Sequence, residues 1–190
     1  PETGFFDSDL PFIPRYRNTA DQYALFVEDR LAVTGQLSLV AGLRHDRARI
    51  RRDDLITGNR VFSRTWNSTG HRLGAVYALT PTLSVYAQHS RAADPSTAPL
   101  MMSASGAKAD MTIGRQIEVG IKQSLPQQRG EWTLAAYNIT KHNLQSRDPA
   151  NPENSLQVGK QSSRGIEGTL SLALSSTLRL DADATVLRAR

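Results

Sequence analysis

Apolar and polar residues alternate along eight stretches of the chain, and this period of two residues is typical of β-strands. The clearest example is the hairpin predicted over residues 114–142. In its first strand Ile117 and Ile121 share one face, whereas Glu118 and Lys122 share the other. A short segment with proline and glycine separates this strand from a second alternating run. The pattern predicts a β-hairpin with one face toward an apolar medium and the other toward a water-filled interior.

Four such hairpins follow one another, with turn centres about 47 residues apart but no repeated sequence. The predicted hairpins are 22–48, 66–91, 114–142 and 158–188. Longer polar segments are predicted as loops at 1–21, 49–65, 92–113 and 143–157. Short turns that alternate with long loops are typical of a transmembrane β-barrel, whose strands need about ten residues to cross the hydrocarbon. The predicted fold class is therefore all-β, an antiparallel up-and-down meander of about eight strands.

Composition and charge exclude several other classes of protein. The chain of 190 residues has no cysteine, which excludes disulfide scaffolds and Cys-ligated zinc sites. Its mean hydropathy is −0.41 and no apolar run is long enough for a membrane helix. The net charge is +5, yet no compact basic stripe alternates with aromatic residues, so a nucleic-acid partner is not expected. No nucleophile elbow, Walker loop or dinucleotide fingerprint is present, so an enzyme is not expected either.

Four stretches carry a resemblance to a known family. They read QYALFVEDRLAVTGQLSLVAGLRHD, LTPTLSVYAQHSRA, IEVGIKQSL followed by WTLAAYNITKHNL, and VGKQSSRGIEGTL. In this order, over roughly residues 22–187, they resemble the barrel of TonB-dependent outer-membrane siderophore receptors. The resemblance implies a 22-stranded barrel in the bacterial outer membrane that imports a ferric siderophore with energy from TonB.

The family also has an N-terminal plug domain and a TonB box, and neither is recognisable in this sequence. Residues 1–190 are therefore expected to be a partial barrel. The implied partners are outer-membrane lipid and lipopolysaccharide, the ferric siderophore, and TonB through a segment that this sequence does not contain. The iron–siderophore complex is substrate, and no cofactor of the protein itself is expected.

Candidate ligand-binding residues lie in segments predicted as outer loops: Arg51, Arg52, Arg60, Phe62, Arg64, Trp66, Met101 and Met102. The basic run over residues 44–52 could attract an anionic ferric chelate or lipopolysaccharide phosphates. The alternative is a solvated loop balanced by nearby aspartates. The aromatic and Met side chains could contact ligand or pack the loops together.

Predicted residues of the lumen-facing wall are Arg44, Asp46, Glu118, Lys122, Glu167, Asp181 and Asp183. They could guide a substrate or face the plug, or they could form ion pairs that stabilise a water-filled wall. His45, His71 and His89 share phase with aliphatic residues, which points them toward lipid headgroups and argues against a metal site.

Two alternatives remain open from the sequence. One is a complete eight-stranded outer-membrane barrel with a structural or adhesive role, in which the eighth strand pairs with the first. The other is a soluble β-sandwich binding module, in which the faces of Leu37, Leu39 and Leu43 and of Leu170 and Leu172 meet in a core.

Overall fold

A computed structural model describes residues 15–94, 110–147, 149–150 and 155–190. They form a single sheet of eight strands, and each strand pairs with the next in antiparallel orientation. The strands are β1 (Tyr16–Ala32), β2 (Leu37–Asp54), β3 (Arg60–Ala78), β4 (Leu83–Asp94), β5 (Thr112–Ser124), β6 (Gly130–Arg147), β7 (Ser155–Ala173) and β8 (Arg179–Ala189). Within these ranges no helix is long and apolar enough to cross a membrane.

The predicted meander of eight strands is confirmed, and both alternative architectures are wrong. In the described part of the chain the sheet is open, with β1 and β8 at its two edges, and no pairing connects them. A closed eight-stranded barrel needs that pairing. A sandwich needs a second sheet packed on the first, and the strands described here all belong to one sheet.

The two faces of the sheet differ in chemistry. One face, called the apolar face, carries exposed aliphatic side chains, among them Leu43, Leu73, Ile117 and Ile166. The register places charged and hydroxyl side chains on the other side, called the polar face. Exposed leucine and isoleucine on every second residue of successive strands would be costly in water, because burial of an aliphatic side chain is worth about 2 kcal/mol. The apolar face therefore requires a nonaqueous environment.

The strands extend further from the short turns than the hydrophobic pattern indicated. The loop predicted at 49–65 is wrong, because β2 continues to Asp54, β3 begins at Arg60 and only five residues connect them. The first strand begins at Tyr16 instead of residue 22, and the loop predicted at 143–157 shrinks because β6 and β7 both extend into it. About ten residues cross the hydrocarbon, so the remainder of each long strand stands beyond the apolar band.

Three of the four short turns share one hydrogen-bonding pattern. Thr34, Thr80 and Ser175 each accept, through the side-chain oxygen, a bond from the backbone N–H of a leucine three residues later, at 2.9, 3.0 and 3.1 Å. In each turn the carbonyl of that leucine also accepts a bond from the residue before the hydroxyl side chain. Hydroxyl side chains that satisfy turn amides fix the loop length and hence the strand register.

Candidate functional site

A hydrophobic cluster lies on the polar face near the strand ends opposite the short turns. Ile50 of β2, Trp66 of β3 and Met111, just before β5, are only 2%, 7% and 5% exposed. Phe62 and Ala93 pack against them. Ile50 and Trp66 lie on this face because they continue the alternation of side chains that begins nearer the short turns in β2 and β3. The cluster ties the β2–β3 hairpin to the start of β5.

Arginine side chains cover the aromatic rings of this region. The guanidinium of Arg52 lies 5.2 Å from the ring centre of Tyr16 and 5.8 Å from that of Phe62, and Arg64 lies 5.0 Å from that of Trp66. These distances are within the range of cation–π attraction. Tyr16, Arg52, Phe62, Arg64 and Trp66 are called the cation–aromatic cluster below. It presents positive charge on a largely apolar base.

Hydrogen bonds and ion pairs hold the two arginines in place. The Nε of Arg52 donates to Asn18 Oδ1 at 2.8 Å, and Nη2 of Arg64 lies 3.3 Å from Asp110 Oδ1. Both residues make further interactions. A planar guanidinium fixed in this way keeps donor groups in a defined orientation, which suits recognition of a planar anionic group.

The structure brings some of the predicted ligand-binding residues together and separates others from them. Arg52, Phe62, Arg64 and Trp66 come together in the cation–aromatic cluster, with Trp66 buried beneath it. Arg51 and Arg60 are instead engaged in ion pairs with Asp21 and Asp53, both at 3.1 Å. Met101 and Met102 lie outside the described residues, so their predicted role stays a prediction.

All seven residues predicted for the lumen-facing wall lie on the polar face by strand register. Several are ion-paired: Arg44 with Asp46 at 2.9 Å, Lys122 with Glu131 at 2.8 Å, and Arg179 with Asp181 at 3.1 Å. Arg72 reaches Glu28, two strands away, at 3.9 Å across Gly42. A Cβ on Gly42 would lie 3.2 Å from the Glu28 carboxylate, so the glycine gives this carboxylate room beside β2.

Glu118 of this wall is held by two hydrogen bonds. Its two carboxylate oxygens accept bonds from Tyr86 Oη and Gln116 Nε2, both at 2.8 Å. The ring of Tyr86 lies directly over Gly120, where a Cβ would come within 2.6 Å of it. The glycine of the Glu-x-Gly pattern therefore provides the space in which the tyrosine reaches its carboxylate partner.

The connection between β2 and β3 is organised by one buried carboxylate. Asp54 is 7% exposed, and its Oδ1 accepts bonds from the backbone N–H groups of Ile56 and Thr57 at 2.9 and 3.1 Å. The bond from Thr57 is the main cause that lowers the pKa of Asp54 below its usual value. Burial opposes it, and the bond from Ile56 and the Arg15 guanidinium, 3.5 Å from Oδ2, lower the pKa further.

Because the folded pKa of Asp54 is depressed, the stabilisation it gives is present at neutral pH and is lost as pH falls through that folded pKa, below about 4. We expect the amides of Ile56 and Thr57 to lose hydrogen-exchange protection in acid, after correction for intrinsic rates. Asp54→Asn keeps an acceptor oxygen but has no titrating group. In this variant the exchange protection of the two amides should therefore be independent of pH. Equal pH dependence in both proteins would contradict this role of the carboxylate.

The histidines lie on the apolar face, as the sequence predicted. His45 Nδ1 is 3.0 Å from Thr69 Oγ1, and His71 Nε2 is 3.2 Å from His89 Nδ1. Across the described ranges no group of three or more His, Asp or Glu side chains is placed to hold a metal ion.

Sequence reasoning missed several members of the site. Ile50 falls in the predicted loop 49–65, although Asp46, Ala48 and Ile50 alternate with arginines in the run RHDRARIRR and thereby continue the strand pattern. Tyr16 was assigned to the outer loop 1–21. Met111 had no such signal, because its contact with Trp66 joins residues that are distant in sequence.

Comparison with known proteins settles the class of this chain. The family model described as TonB dependent receptor-like, beta-barrel, matches residues 1–188. The chain belongs to the TonB-dependent receptor family. The metal-pseudopaline receptor CntO of Pseudomonas aeruginosa is 29% identical over 171 residues, which cover 87% of this chain and 24% of that receptor. An uncharacterised TonB-dependent receptor of Haemophilus influenzae is 31% identical over 121 residues, 63% of this chain and 34% of that protein.

Solved TonB-dependent barrels share the fold. The ferric-catecholate import receptor Fiu of E. coli has a TM-score of 0.76 over 92% of this chain and 28% of its own. The alcaligin outer-membrane receptor FauA of Bordetella pertussis has a TM-score of 0.74 over 92% of this chain and 31% of its own. Both are 18% identical to it. The chain thus spans about a quarter to a third of these proteins. Its location is the bacterial outer membrane.

Proposed function

We propose that the protein containing this chain imports a ferric siderophore across the outer membrane with energy from TonB, and that the cation–aromatic cluster forms part of its capture surface. The iron–siderophore complex is the substrate, so the protein needs no cofactor of its own and acts as a transporter rather than an enzyme.

The observation that carries the proposal is the position of Arg52 and Arg64 over aromatic rings at the outer end of the polar face. A ferric chelate with anionic or planar aromatic groups would meet two oriented guanidinium groups there, on a surface already held rigid by Trp66 and Ile50. Charge attracts the chelate, and charge-assisted hydrogen bonds and stacking on the guanidinium planes retain it.

The relatives support this substrate class. Two of the proteins described above are named as receptors for a metal–pseudopaline complex and for a ferric catecholate. In the proposed mechanism the polar face of the sheet forms part of the lumen wall. Carboxylates of this face, such as Glu167, would face the plug domain that other members of the family carry, and TonB would act through a segment outside this chain.

We expect the full-length receptor to support uptake of ⁵⁵Fe delivered as a siderophore, and to lose that uptake in cells without TonB. Ferric pseudopaline, a ferric catecholate and ferric alcaligin are suitable probes. For the chelate that is taken up, Arg52→Gln with Arg64→Gln should weaken binding by about tenfold or more, because charge-assisted hydrogen bonds are each worth about 1.5–3 kcal/mol.

Arg129→Gln is the matched control, since Arg129 lies in the turn after Pro126–Gln128, at the opposite end of the sheet. It should bind and transport like the unaltered receptor. If uptake is unchanged without TonB, or if the double variant binds every chelate as well as the control does, the proposal is wrong.

A further inference from the structure

The guanidinium of Arg64 contacts two different groups of this chain. Its Cζ lies 5.0 Å from the ring centre of Trp66, and its Nη2 lies 3.3 Å from Oδ1 of Asp110. The ring is buried in the hydrophobic cluster, whereas the side chain of Asp110 is 72% exposed. Stacking leaves the N–H groups in the guanidinium plane available to acceptors. The buried ring therefore sets where the guanidinium lies, and the carboxylate covers part of its hydrogen-bonding edge.

The backbone next to Asp110 is anchored, which keeps its carboxylate close to Arg64. Met111 is buried in the hydrophobic cluster, and its backbone oxygen accepts a bond from Asn143 Nδ2 at 3.4 Å. Thr112 Oγ1 donates to the backbone oxygen of Asn143 at 3.1 Å. These contacts tie the start of β5 to β6. A carboxylate tethered beside a guanidinium in this way meets it at a high effective concentration.

The ion pair between Arg64 and Asp110 is of a kind that another anion can replace. An ion pair close to solvent gains little Coulomb energy and loses side-chain entropy, so it contributes little to stability. An anionic group that reaches the cation–aromatic cluster needs the same in-plane N–H groups that Asp110 accepts from. Exchange of one acceptor for the other leaves the stacking of Arg64 on Trp66 unchanged. The carboxylate and an anionic ligand therefore compete for one guanidinium.

We propose that Asp110 is an internal competitor for Arg64 and thereby determines which anions the cation–aromatic cluster accepts. The inference rests on the proposed function, in which Arg64 binds an anionic group of the ferric chelate. That group takes the place of the carboxylate, and the Asp110 side chain turns into solvent while Met111 stays packed. A simple anion such as inorganic phosphate, which contacts Arg64 alone, loses affinity through this competition. A chelate that also contacts Arg52 retains enough affinity to displace the carboxylate.

The test uses the purified full-length receptor and whichever of ferric pseudopaline, a ferric catecholate and ferric alcaligin it takes up. Asp110→Asn should bind this chelate about threefold more tightly, because an amide competes for a guanidinium less well than a carboxylate does. The inhibition constant of inorganic phosphate against chelate binding should fall by about the same factor. In a receptor that carries Arg64→Gln, the further change Asp110→Asn should leave chelate affinity unaltered, because the shared guanidinium is gone.

Asp53→Asn is the matched control, because Asp53 pairs with Arg60 at 3.1 Å, outside the cation–aromatic cluster. It removes the same charge without releasing Arg64 and should bind the chelate like the unaltered receptor. Equal affinities of Asp110→Asn and Asp53→Asn would overturn the inference and leave the proposed function intact. Weaker binding by Asp110→Asn would also overturn it, since the carboxylate would then position Arg64 for the ligand. Unchanged affinity in Arg64→Gln alone would contradict both the proposed role of Arg64 and this inference.

Discussion

Gly130→Ala is expected to cause a severe folding defect in the full-length receptor. Gly130 begins β6 with a φ of +145°, a conformation that L side chains rarely adopt. A Cβ there would lie 1.9 Å from the backbone oxygen of Ser171 on β7, and backbone cannot yield as the end of a flexible side chain can. The strain and the clash together should cost about 4 kcal/mol or more. Most of the receptor should then fail to reach the folded, heat-modifiable form in gel electrophoresis.

Gly35→Ala is the matched control. Gly35 also lies in a short turn at the same end of the sheet, but no heavy atom lies within 4 Å of a Cβ built on it. Its urea unfolding midpoint should change by less than the equivalent of about 0.5 kcal/mol. Equal urea unfolding midpoints for Gly130→Ala and Gly35→Ala would show that β6 and β7 do not approach each other this closely at Gly130.

Trp66→Ala is expected to loosen the outer half of the β2–β3 hairpin. Trp66 packs against Ile50 and Met111 and supports the Arg64 guanidinium. Removal of a buried indole leaves a cavity and typically costs about 3–5 kcal/mol. Because the transmembrane part of the strands is held by separate contacts, the loss should appear as local opening. We expect faster amide exchange over the outer ends of β2 and β3 and easier proteolysis there.

Val61→Ala changes an exposed residue near the start of β3 and should leave exchange and proteolysis nearly unaltered. Trp66→Phe retains most of the packing and should fall between the two. If the proposed function holds, chelate affinity should follow the same order, because Arg64 loses its support only in Trp66→Ala. Equal protection of the hairpin in Trp66→Ala and Val61→Ala would show that the cluster does not stabilise this region.

The composition of the cation–aromatic cluster could be predicted from the sequence in part. The sequence predicts four of its five members as ligand candidates, because they are basic or aromatic residues of segments predicted as outer loops: Arg52, Phe62, Arg64 and Trp66. The alternation in RHDRARIRR continues the strand period, but so many charges in one run are also typical of a solvated loop. The hydroxyl residues Thr34, Thr80 and Ser175, each three positions before a leucine, are visible in the sequence, but their shared hydrogen bonds are seen only in the structure.

Sequence pattern alone predicts the period of two residues, the order of eight strands, the positions of the four short turns and the division into an apolar and a polar face. These features depend on residues close together in the chain, so local pattern suffices to predict them. Tertiary structure decided that the sheet is open and how far each hairpin extends. It also decided that Met111 meets Trp66 and that Arg52 covers Tyr16. These outcomes depend on the register between strands, because a shift of one residue would move every side chain of a strand to the opposite face.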